Sequence, residues 1–286
     1  MTYKNKRFYI ENISVEKLSK RFGTPAYIYS YNNLKNNIEN FKRYFKTFEP
    51  IICFSVKSNS NLKLLNIIGR FGLGADVVSK GELLKALKAN IKPEKIVFSG
   101  VGKTVEELRF AVNKKIFLIN AESENEIIEI EKIAKRSKKK INIGIRLNPD
   151  TDAKTLKEIS TGKEENKFGL TKRKFLYLVK KYKNSNFINI TCLSVHIGSQ
   201  ITNHVPYKKM LDVVNKTINE AKHKFSYIDL GGGMGIQYKK NSNKLNYKKY
   251  NSLIKSFLKK NDVKIIFEPG RSIIGNVGYL LSKIIY

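Results

Sequence analysis

Residues 51–59 read IICFSVKSN, a short apolar run that ends at Lys57. Five of the six residues before Lys57 are apolar and three of these are β-branched, so we expect a strand that is buried on both faces. Its tip would carry the lysine amine from the core to one edge of a sheet. Such an amine can be desolvated, its pKa can be lowered, and it can attack a carbonyl group. The alternative is a strand-end lysine that simply points to water.

The same pattern returns along the chain at regular intervals. A short apolar run ends in a polar or glycine-rich tip, and a helix-like stretch follows it. The eight runs cover residues 51–56, 73–78, 95–99, 116–120, 141–147, 188–195, 225–230 and 263–267. This repeated alternation of strand, loop and helix predicts parallel βαβ units.

Helical signals fill the stretches between these runs. One face of a helix precedes the first run and consists of Leu34, Ile38, Phe41, Phe45 and Phe48. Three later loops end in a hydroxyl residue with a glutamate three positions further on, in segments 79–82, 104–107 and 123–126. In each segment the hydroxyl can cap the helix, and the glutamate can hydrogen-bond back to the N–H of the cap residue. This pattern predicts three capping boxes.

Eight such units predict an α/β fold of the (β/α)8 TIM-like barrel type. An open doubly wound sheet is the runner-up, and it would usually show a glycine fingerprint directly after its first strand. In this chain the strongest glycine cluster follows the seventh run instead. Barrels of this type carry their function on the loops at the carboxyl ends of the strands, so we expect the functional residues there.

Two of these loops predict an anion site. The seventh run is followed by Gly231, Gly232, Gly233 and Gly235. Glycines let backbone N–H groups approach an anion closely, and barrels commonly bind phosphate after strands 7 and 8. The eighth run is followed by Glu268, Pro269, Gly270 and Arg271. The alternatives are a tight turn for the glycines and a local ion pair for the two charged residues.

Other polar side chains stand on the same predicted rim. His196 and Ser199 follow the sixth run, Asp76 lies at the second tip, and Arg146 and Asn148 lie at the fifth. Each of them can belong to a functional site or be a structural residue in polar packing. A lysine, a phosphate cradle, a carboxylate and a histidine together match one cofactor, pyridoxal phosphate. In that match the lysine forms a Schiff base, the glycines hold the phosphate, an acid pairs with the pyridine nitrogen and a flat side chain lies against the ring.

The motifs on these loops resemble those of the diaminopimelate decarboxylases, which are barrel-type (fold type III) pyridoxal-phosphate enzymes of lysine biosynthesis. The similarity runs from about residue 23 to about residue 281. It is carried by FSVKSN, GADVVSKGEL, FSGVGKT, INAES, RLNPDTDAKT, ISTGKEENKFG, SVHIGSQ, DLGGGMGI and EPGR. The segment from Asn148 to Gly169 is typical of this family and less typical of relatives that act on ornithine, arginine or carboxynorspermidine.

The resemblance implies a role for each matching residue. Lys57 matches the Schiff-base lysine and His196 the residue stacked on the ring, and we expect both to be catalytic. The expected cofactor-binding residues are Lys57, Asp76, His196, Ser199, Gly231, Gly232, Gly233, Gly235, Glu268, Pro269, Gly270 and Arg271. Within this set Glu268 matches the acid at the pyridine nitrogen, and Arg271 also contacts the substrate. The implied reaction is the decarboxylation of meso-2,6-diaminopimelate to L-lysine and CO2.

The resemblance also sets an expected domain organisation. Residues 1–30 would be the N-terminal segment of a β domain, residues 31–278 the barrel, and residues 279–286 the start of an otherwise missing C-terminal β domain. In the family that domain completes the site across a homodimer interface. We therefore expect a homodimer in the full-length form and weak or no activity from this chain alone. A local departure lies at Leu156 and Glu158, where the family often has a histidine after the Lys-Thr pair.

Composition limits the other function classes. The chain has 286 residues, 41% of them hydrophobic, which is typical of a globular protein. It shows no apolar stretch of membrane-spanning length and no signal peptide, so we expect a cytoplasmic protein. The net charge of +31 would suit nucleic acid, but the lysines are spread over most of the chain and no aromatic residues interleave the basic cluster at 135–140. We expect that cluster to end a helix, and a small amino acid rather than nucleic acid to be the partner.

Cys53 and Cys192 lie in apolar runs without paired spacing, which predicts buried, inert thiols. The three histidines show no metal-ligand spacing. Two further functions stay open on the sequence alone. A pyridoxal-phosphate-binding barrel without decarboxylase activity, acting as a cofactor carrier or regulator, is the main alternative. A basic nucleic-acid binder has only the bulk charge in its favour.

Overall fold

The computed structural model describes residues 2–4, 6–155, 159–162, 168–239 and 242–286. The chain divides into a larger unit, Tyr44–Ser272, and a smaller unit that joins Met1–Arg43 to Ile273–Tyr286. Strands and helices are numbered below in chain order. The domain bounds expected from the sequence, with breaks after residues 30 and 278, stay a prediction.

Eight parallel strands close into a barrel within the larger unit. The barrel consists of β5 (Ile51–Ser55), β6 (Gly74–Val77), β7 (Ile96–Phe98), β8 (Leu118–Ala121), β9 (Ile141–Arg146), β10 (Ile188–Ser194), β11 (Tyr227–Asp229) and β12 (Lys264–Phe267). Each strand pairs in parallel with the next one along the chain, and β12 pairs with β5 to close the ring. The predicted (β/α)8 class is therefore confirmed, and all eight carboxyl ends lie at the same end of the barrel.

Helices follow the strands as the sequence predicts. Those after the barrel strands are α3 (Leu62–Arg70), α4 (Lys80–Lys88), α5 (Val105–Asn113), α6 (Glu124–Ser137), α7 (Lys172–Tyr182), α8 (Val205–Ala221), α9 (Tyr247–Leu258) and the short α10 (Arg271–Ile274). The predicted helix before the first strand is α2 (Tyr31–Phe45), which buries Leu34, Ile38, Phe41 and Phe45. Phe48 falls in the 3-10 turn that follows it.

The three predicted capping boxes have different outcomes. The hydroxyl half is present at Ser79, Thr104 and Ser123, each of which accepts the N–H three residues further on. Glu107 returns a hydrogen bond to the N–H of its own cap residue and completes the box. Glu82 and Glu126 instead accept the N–H of the residue before the cap, so the full box is wrong there. The two serines have extended backbones, with φ of −158° and −151° against −72° at Thr104, and this conformation turns the preceding N–H toward the glutamate.

Glu126 also fixes a buried lysine at the carboxyl end of the barrel. The Lys103 side chain is fully buried, and its Nζ donates to Glu126 Oε1 at 2.6 Å. The same ammonium donates to the carbonyls of Gly100 at 2.6 Å and Asn120 at 2.8 Å. Three acceptors satisfy its three protons, so one side chain ties the loop after β7 to the end of β8.

The barrel interior holds an apolar cluster from five different strands. Its buried members are Cys53, Val97, Leu118, Cys192 and Ile266. Both thiols are free and buried, and burial raises the pKa of each well above its usual value. Because the thiolate is the reactive form, the prediction of buried, inert cysteines is confirmed.

The smaller unit contains two antiparallel sheets. The first has three strands, β1 (Thr2–Lys4), β2 (Arg7–Ile10) and β3 (Ile13–Ser14), and α1 (Val15–Phe22) follows directly. The second pairs β4 (Ala26–Tyr29) with β13 (Gly278–Leu281). Nowhere in the described part of the chain is a helix both long and apolar enough to cross a membrane.

Candidate active site at the barrel rim

A cavity of about 360 Å³ lies at the carboxyl ends of the barrel strands. The side chains that line it come from the tips of several strands and include Lys57, Ser99, Arg146, Ser194, His196 and Glu268. Three of the predicted site residues thus meet in one cavity: the lysine, the histidine and the glutamate. No group of three or more histidine, cysteine or acidic side chains suited to a metal ion occurs in the described residues.

Lys57 lies on a 3-10 turn directly after β5, beside a buried acid. Its Nζ is 3.4 Å from Asp76 Oδ2, and the same oxygen accepts the Ser55 hydroxyl at 2.5 Å. About half of the Lys57 side chain is exposed, so its amine is not desolvated in the core. The charge of Asp76 raises the pKa of Lys57 above its usual value. The expectation of a lowered lysine pKa is therefore wrong for the protein without a ligand. The sequence could not show that an acid from the next strand faces the amine.

Asp76 also offers an unused acceptor in the same wall. Its side chain is fully buried, and its Oδ1 has no hydrogen-bond partner in the described part of the chain. A buried polar atom without a partner is costly. Asp76 therefore suits a donor that a bound molecule would bring, either directly or through water.

His196 is held with a defined proton position. Its Nδ1 accepts the N–H of Gly232 at 3.2 Å, so the neutral ring carries its proton on Nε2. Burial lowers the pKa of His196 well below 6.5, and the charges of Arg146 and Lys57 lower it further. Gly231 has φ of +62°, and a Cβ there would lie 2.5 Å from His196 Nδ1. The glycine therefore allows a flat, uncharged ring to sit against the loop.

The glycine loop has fewer free donors than its sequence suggests. Three N–H groups already have protein acceptors: Gly231 donates to Asp229 Oδ1, Gly232 to His196 Nδ1 and Gly235 to the Ile201 carbonyl. Gly233 has φ of +86°, and its N–H has no protein acceptor among the described residues. A phosphate contact through the loop backbone is thus available at Gly233. For the other three glycines cofactor binding stays a prediction, and the structure shows them shaping the loop.

The remaining predicted phosphate residues lie on two neighbouring loops. The Ser199 backbone N–H donates to the Ile159 carbonyl at 2.9 Å, and a phosphate contact through its hydroxyl stays a prediction. The Pro269 carbonyl accepts the N–H of Ser55 at 3.1 Å, so the loop after β12 is joined to β5. Gly270 lies against Ser55, where a Cβ would come within 3.2 Å of the serine Cβ.

Arg271 points toward the glycine loop side of the rim. Its Nη1 donates to Tyr238 Oη at 2.9 Å and lies 3.4 Å from Gln200 Oε1. Its guanidinium carbon is 5.7 Å from the centre of the Tyr238 ring. The predicted substrate contact through Arg271 stays a prediction, since both of its partners are uncharged and leave it able to pair with a carboxylate.

Glu268 is buried in the cavity wall and faces a second acid. Its Oε1 accepts the Ser99 hydroxyl at 3.0 Å. Burial raises the pKa of Glu268 well above its usual value, and the charge of Asp229 raises it further. An acid kept neutral in this way can donate a proton or share one with a basic nitrogen.

Sequence reasoning missed three members of this group, Ser99, Asn120 and Asp229. The Asn120 amide joins the set by donating to Ser99 Oγ at 3.1 Å and to Asp229 Oδ2 at 2.8 Å. Each of the three is the last or next-to-last residue of its apolar run. A polar side chain at the tip of a buried barrel strand is the signal that could have found them.

The sequence left the roles of Arg146 and Asn148 open, and the structure places their side chains in different cavities. Arg146 lines the cavity, forms an ion pair with Glu122 at 2.8 Å and lies 4.9 Å from the centre of the Phe168 ring. Asn148 instead donates to the Phe168 carbonyl at 3.2 Å and lines a different cavity. Leu156 and Glu158, where the chain departs from the family, lie outside the described residues.

The unpaired groups of the rim fit pyridoxal phosphate. The N–H of Gly233 suits a phosphate, Asp76 Oδ1 suits a polar donor, and the Lys57 amine suits an aldehyde. Glu268 lines the cavity and has a raised pKa, which suits an acid that faces a pyridine nitrogen.

Comparisons with known proteins agree with this assignment. Residues 32–275 match the family described as pyridoxal-dependent decarboxylase, pyridoxal binding domain. The diaminopimelate decarboxylase of Aquifex aeolicus is 39% identical over 290 aligned residues, which cover 99% of this chain and 68% of that protein. The same enzyme from Campylobacter jejuni is 40% identical, over 95% of this chain and 68% of that protein.

Solved structures give the same result. The Helicobacter pylori diaminopimelate decarboxylase in complex with L-lysine superimposes with a TM-score of 0.89 at 39% identity, over 93% of this chain and 68% of that one. The arginine decarboxylase of Paramecium bursaria Chlorella virus has a TM-score of 0.79 at 24% identity and shows a shared fold alone. The chain therefore belongs to the pyridoxal-dependent decarboxylases and, within them, to the diaminopimelate decarboxylase family.

Proposed function

We propose that the chain binds pyridoxal phosphate at the barrel rim and decarboxylates meso-2,6-diaminopimelate to L-lysine and CO2. The observation that supports this most is the single cavity of about 360 Å³ that Lys57, His196 and Glu268 line together. The decarboxylase class and an amino-acid substrate follow from the family. The specific substrate is that named for the relatives, which are 34–40% identical to this chain.

The residues of the cavity divide the work of binding. When bound, pyridoxal phosphate supplies an electron sink for the carbanion that loss of CO2 leaves on the substrate. Lys57 provides the amine that anchors the aldehyde. Asp76 holds that amine in place before the cofactor binds. Glu268 presents a proton to the pyridine nitrogen. His196 stays neutral, so its flat ring can lie against the cofactor without adding a charge.

The amine must lose its extra protons before it attacks a carbonyl, because the ammonium form is not nucleophilic. Asp76 accepts a hydrogen bond from Lys57 and is the nearest base in the cavity wall. Asp76 is fully buried, whereas about half of the Lys57 side chain is exposed, so the amine is open to a bound molecule. We infer that the Asp76 carboxylate orients the Lys57 amine toward the cavity. The amine would leave Asp76 when it binds the cofactor.

The partner expectations belong to the same proposal. We expect a homodimer, because the family resemblance implies a site completed across a dimer interface. We also expect a cytoplasmic location. We expect no nucleic-acid partner, since the basic cluster at 135–140 overlaps the C-terminal end of α6, where cations suit the helix dipole.

The test is to add pyridoxal phosphate to the protein and record its absorbance near the visible edge. We expect a new band in the wild-type protein and in Lys63→Ala, and none in Lys57→Ala. Lys63 is a matched control, because it lies exposed at the start of the neighbouring helix α3. A band of full height in Lys57→Ala would contradict the role of Lys57, and no band in the wild-type protein would contradict cofactor binding.

Substrate choice needs a separate measurement. Release of CO2 should be compared for meso-diaminopimelate, L-lysine, L-ornithine and L-arginine at equal concentration. We expect turnover with meso-diaminopimelate to exceed that with the other three. Equal or greater release from ornithine or arginine would show that the family assignment does not carry the substrate to this chain.

A further inference from the structure

Tyr207 is a buried residue to which the proposed function gives no role. It lies in the first turn of α8, and its side chain is fully buried. Its hydroxyl donates a hydrogen bond to the Gly232 carbonyl at 3.2 Å, so a helix of the outer layer reaches the glycine loop. Burial raises the pKa of Tyr207 well above its usual value, and the hydroxyl therefore keeps the proton that it donates.

The packing of the Tyr207 ring gives that hydroxyl a defined position. The ring stacks on the ring of Tyr250 from α9, with the two ring centres 4.2 Å apart and the ring planes 27° from parallel. The ring centre of Tyr250 lies in turn 6.1 Å from that of Phe267 on β12. A buried aromatic stack leaves little room for another ring orientation. The Tyr207 hydroxyl is thus a fixed donor on the inner side of the helix layer.

The peptide between Gly231 and Gly232 is held by the protein at both of its polar groups. The Gly231 carbonyl accepts the N–H of Glu268 at 2.8 Å, and the Gly232 N–H donates to His196 Nδ1 at 3.2 Å. A Cβ on Gly232 would lie 2.1 Å from the Glu268 carbonyl oxygen, so this residue has no room for a side chain. This peptide is therefore fixed by its surroundings, and its N–H is not available to a ligand.

The next peptide, between Gly232 and Gly233, differs in one respect. Its carbonyl accepts the Tyr207 hydroxyl, whereas its N–H has no protein acceptor among the described residues. The peptide bond is trans, so its C=O and N–H point in opposite directions. A hydroxyl that holds the carbonyl therefore also sets the direction of the N–H, which points away from Tyr207. Gly233 is partly exposed, whereas Gly231 and Gly232 are buried.

We propose that Tyr207 is a positioning residue that fixes the peptide between Gly232 and Gly233 and so presents the Gly233 N–H to the phosphate of the cofactor. The inference rests on the proposed cofactor site. Without the tyrosine hydroxyl this peptide plane could rotate, because glycine on both sides offers few steric barriers. The phosphate would then have to order the peptide when it binds, and that cost would appear as a lower affinity.

The first test compares pyridoxal phosphate with pyridoxal, which has the same ring and aldehyde but no phosphate. The affinity for each is measured from the absorbance band that attachment to Lys57 gives on titration. Tyr207→Phe removes the hydroxyl and keeps the stacked ring. It should weaken the binding of pyridoxal phosphate about fivefold or more and keep that of pyridoxal within about twofold of the wild-type value.

Tyr250→Phe is the matched control, because the Tyr250 hydroxyl is buried and has no hydrogen-bond partner among the described residues. Asp212→Asn is a second control, on the exposed side of the same helix as Tyr207. Both controls should bind the two compounds as the wild-type protein does.

Two results of this comparison would overturn the inference. Equal loss of affinity for both compounds in Tyr207→Phe would show a purely structural role, and no loss for either would show no role at all. In both cases the band of the wild-type protein would still report the proposed function. A wild-type protein without the band would instead overturn the cofactor site and the inference together.

A second measurement uses the wild-type protein without cofactor and does not depend on how well a variant folds. Gly232 and Gly233 are the two residues of the sequence that follow a glycine. Glycine labelled for NMR at its nitrogen and carbonyl carbon therefore isolates their amides in a spectrum that joins each amide to the preceding carbonyl. Inorganic phosphate should move the Gly233 amide proton downfield and leave that of Gly232 nearly unchanged. A Gly232 shift as large as that of Gly233, or no shift of either, would overturn the inference.

The same spectrum reports the hydrogen bond of Tyr207, because the Gly233 signal carries the frequency of the Gly232 carbonyl carbon. In Tyr207→Phe this carbon signal should move upfield, since the carbonyl has lost its donor. In Tyr250→Phe it should keep its position. An unchanged carbon signal in Tyr207→Phe would mean that the hydroxyl does not hold this peptide, and the inference would be wrong.

Discussion

Asp76 and Glu268 are two buried carboxyl groups in one rim, yet they play opposite electrostatic parts. Asp76 faces the Lys57 ammonium and accepts its hydrogen bond as the anionic half of an ion pair. Glu268 accepts the Ser99 hydroxyl, and burial together with the charge of Asp229 raises its pKa well above the usual value. Both side chains are at least nine-tenths buried, so burial alone does not set their charge. The partner that the fold places opposite each acid decides it.

The largest expected effect comes from removing the proton-holding acid. Glu268→Ala deletes the group that would serve the pyridine nitrogen and leaves the Ser99 hydroxyl without its carboxylate acceptor. We expect kcat/KM for CO2 release to fall about 10²-fold or more, the lower end of what a positioned proton-transfer group contributes. Activity near the wild-type value in Glu268→Ala would show that the reaction does not need Glu268. The proposed difference in role between Glu268 and Asp76 would then be wrong.

The next effect concerns the ion pair. Asp76→Asn should lower the pKa of Lys57, because the charge of Asp76 is the largest cause that raises it. The pH midpoint for attachment of pyridoxal phosphate should then move down by about one unit, which is tenfold more free amine at a given pH. The measurement is the growth rate of the absorbance band against pH, with Asp212→Asn as the control. An unchanged or higher midpoint would show that Asp76 does not govern the amine.

A smaller effect should appear in the pH dependence of stability. The folded pKa of Glu268 lies above that of the unfolded chain, so its stabilising contribution is complete below a pH of about 4.5 and is lost as the pH rises through the folded pKa. The cofactor-free wild-type protein should therefore lose unfolding free energy as the pH rises above about 4.5, and Glu268→Gln should lose less. Lys57 also has a raised pKa, but its contribution falls only above the usual lysine value of 10.5.

Urea unfolding at several pH values checks this slope. Equal slopes in the wild-type protein and Glu268→Gln would mean that Glu268 ionises alike in the folded and unfolded chains. That result would also remove the difference in charge state between Glu268 and Asp76.

The smallest effect is expected outside the barrel interior. Asp212 pairs with Lys208 at 2.8 Å on the exposed face of α8, with more than half of each side chain in solvent. Asp212→Asn should change the free energy of unfolding by less than about 0.5 kcal/mol, because solvent screens such pairs. A loss above about 1 kcal/mol in urea unfolding would show that exposure is a poor guide to the value of ion pairs here.

The barrel could be predicted from the sequence because its signals are local. Each strand is one apolar run with a polar tip, and the order of the runs already fixes a parallel ring. Lys57, His196 and Glu268 were predictable for the same reason, since each lies within two residues of the end of a strand. The capping glutamates Glu82 and Glu126 were only half predictable, because their second contact depends on the backbone angle of the cap residue.

The charge states could not be read from the sequence. They depend on pairs of residues that are far apart in the chain and meet only when the ring closes. Asp76 comes to Lys57 from the neighbouring strand β6, which reverses the expected direction of the lysine pKa. Asp229 and Asn120 lie 109 positions apart, yet their side chains are 2.8 Å from each other. Local periodicity carries no information on such contacts.

The buried ammonium of Lys103 has a consequence for how the rim opens. It holds the carbonyls of Gly100 and Asn120 together with the carboxylate of Glu126, so neither of the two adjoining segments can leave without breaking the hydrogen bonds of the other. Segments linked in this way exchange their amide hydrogens through one shared opening event rather than two independent ones. This side of the rim should therefore open as a single cooperative unit.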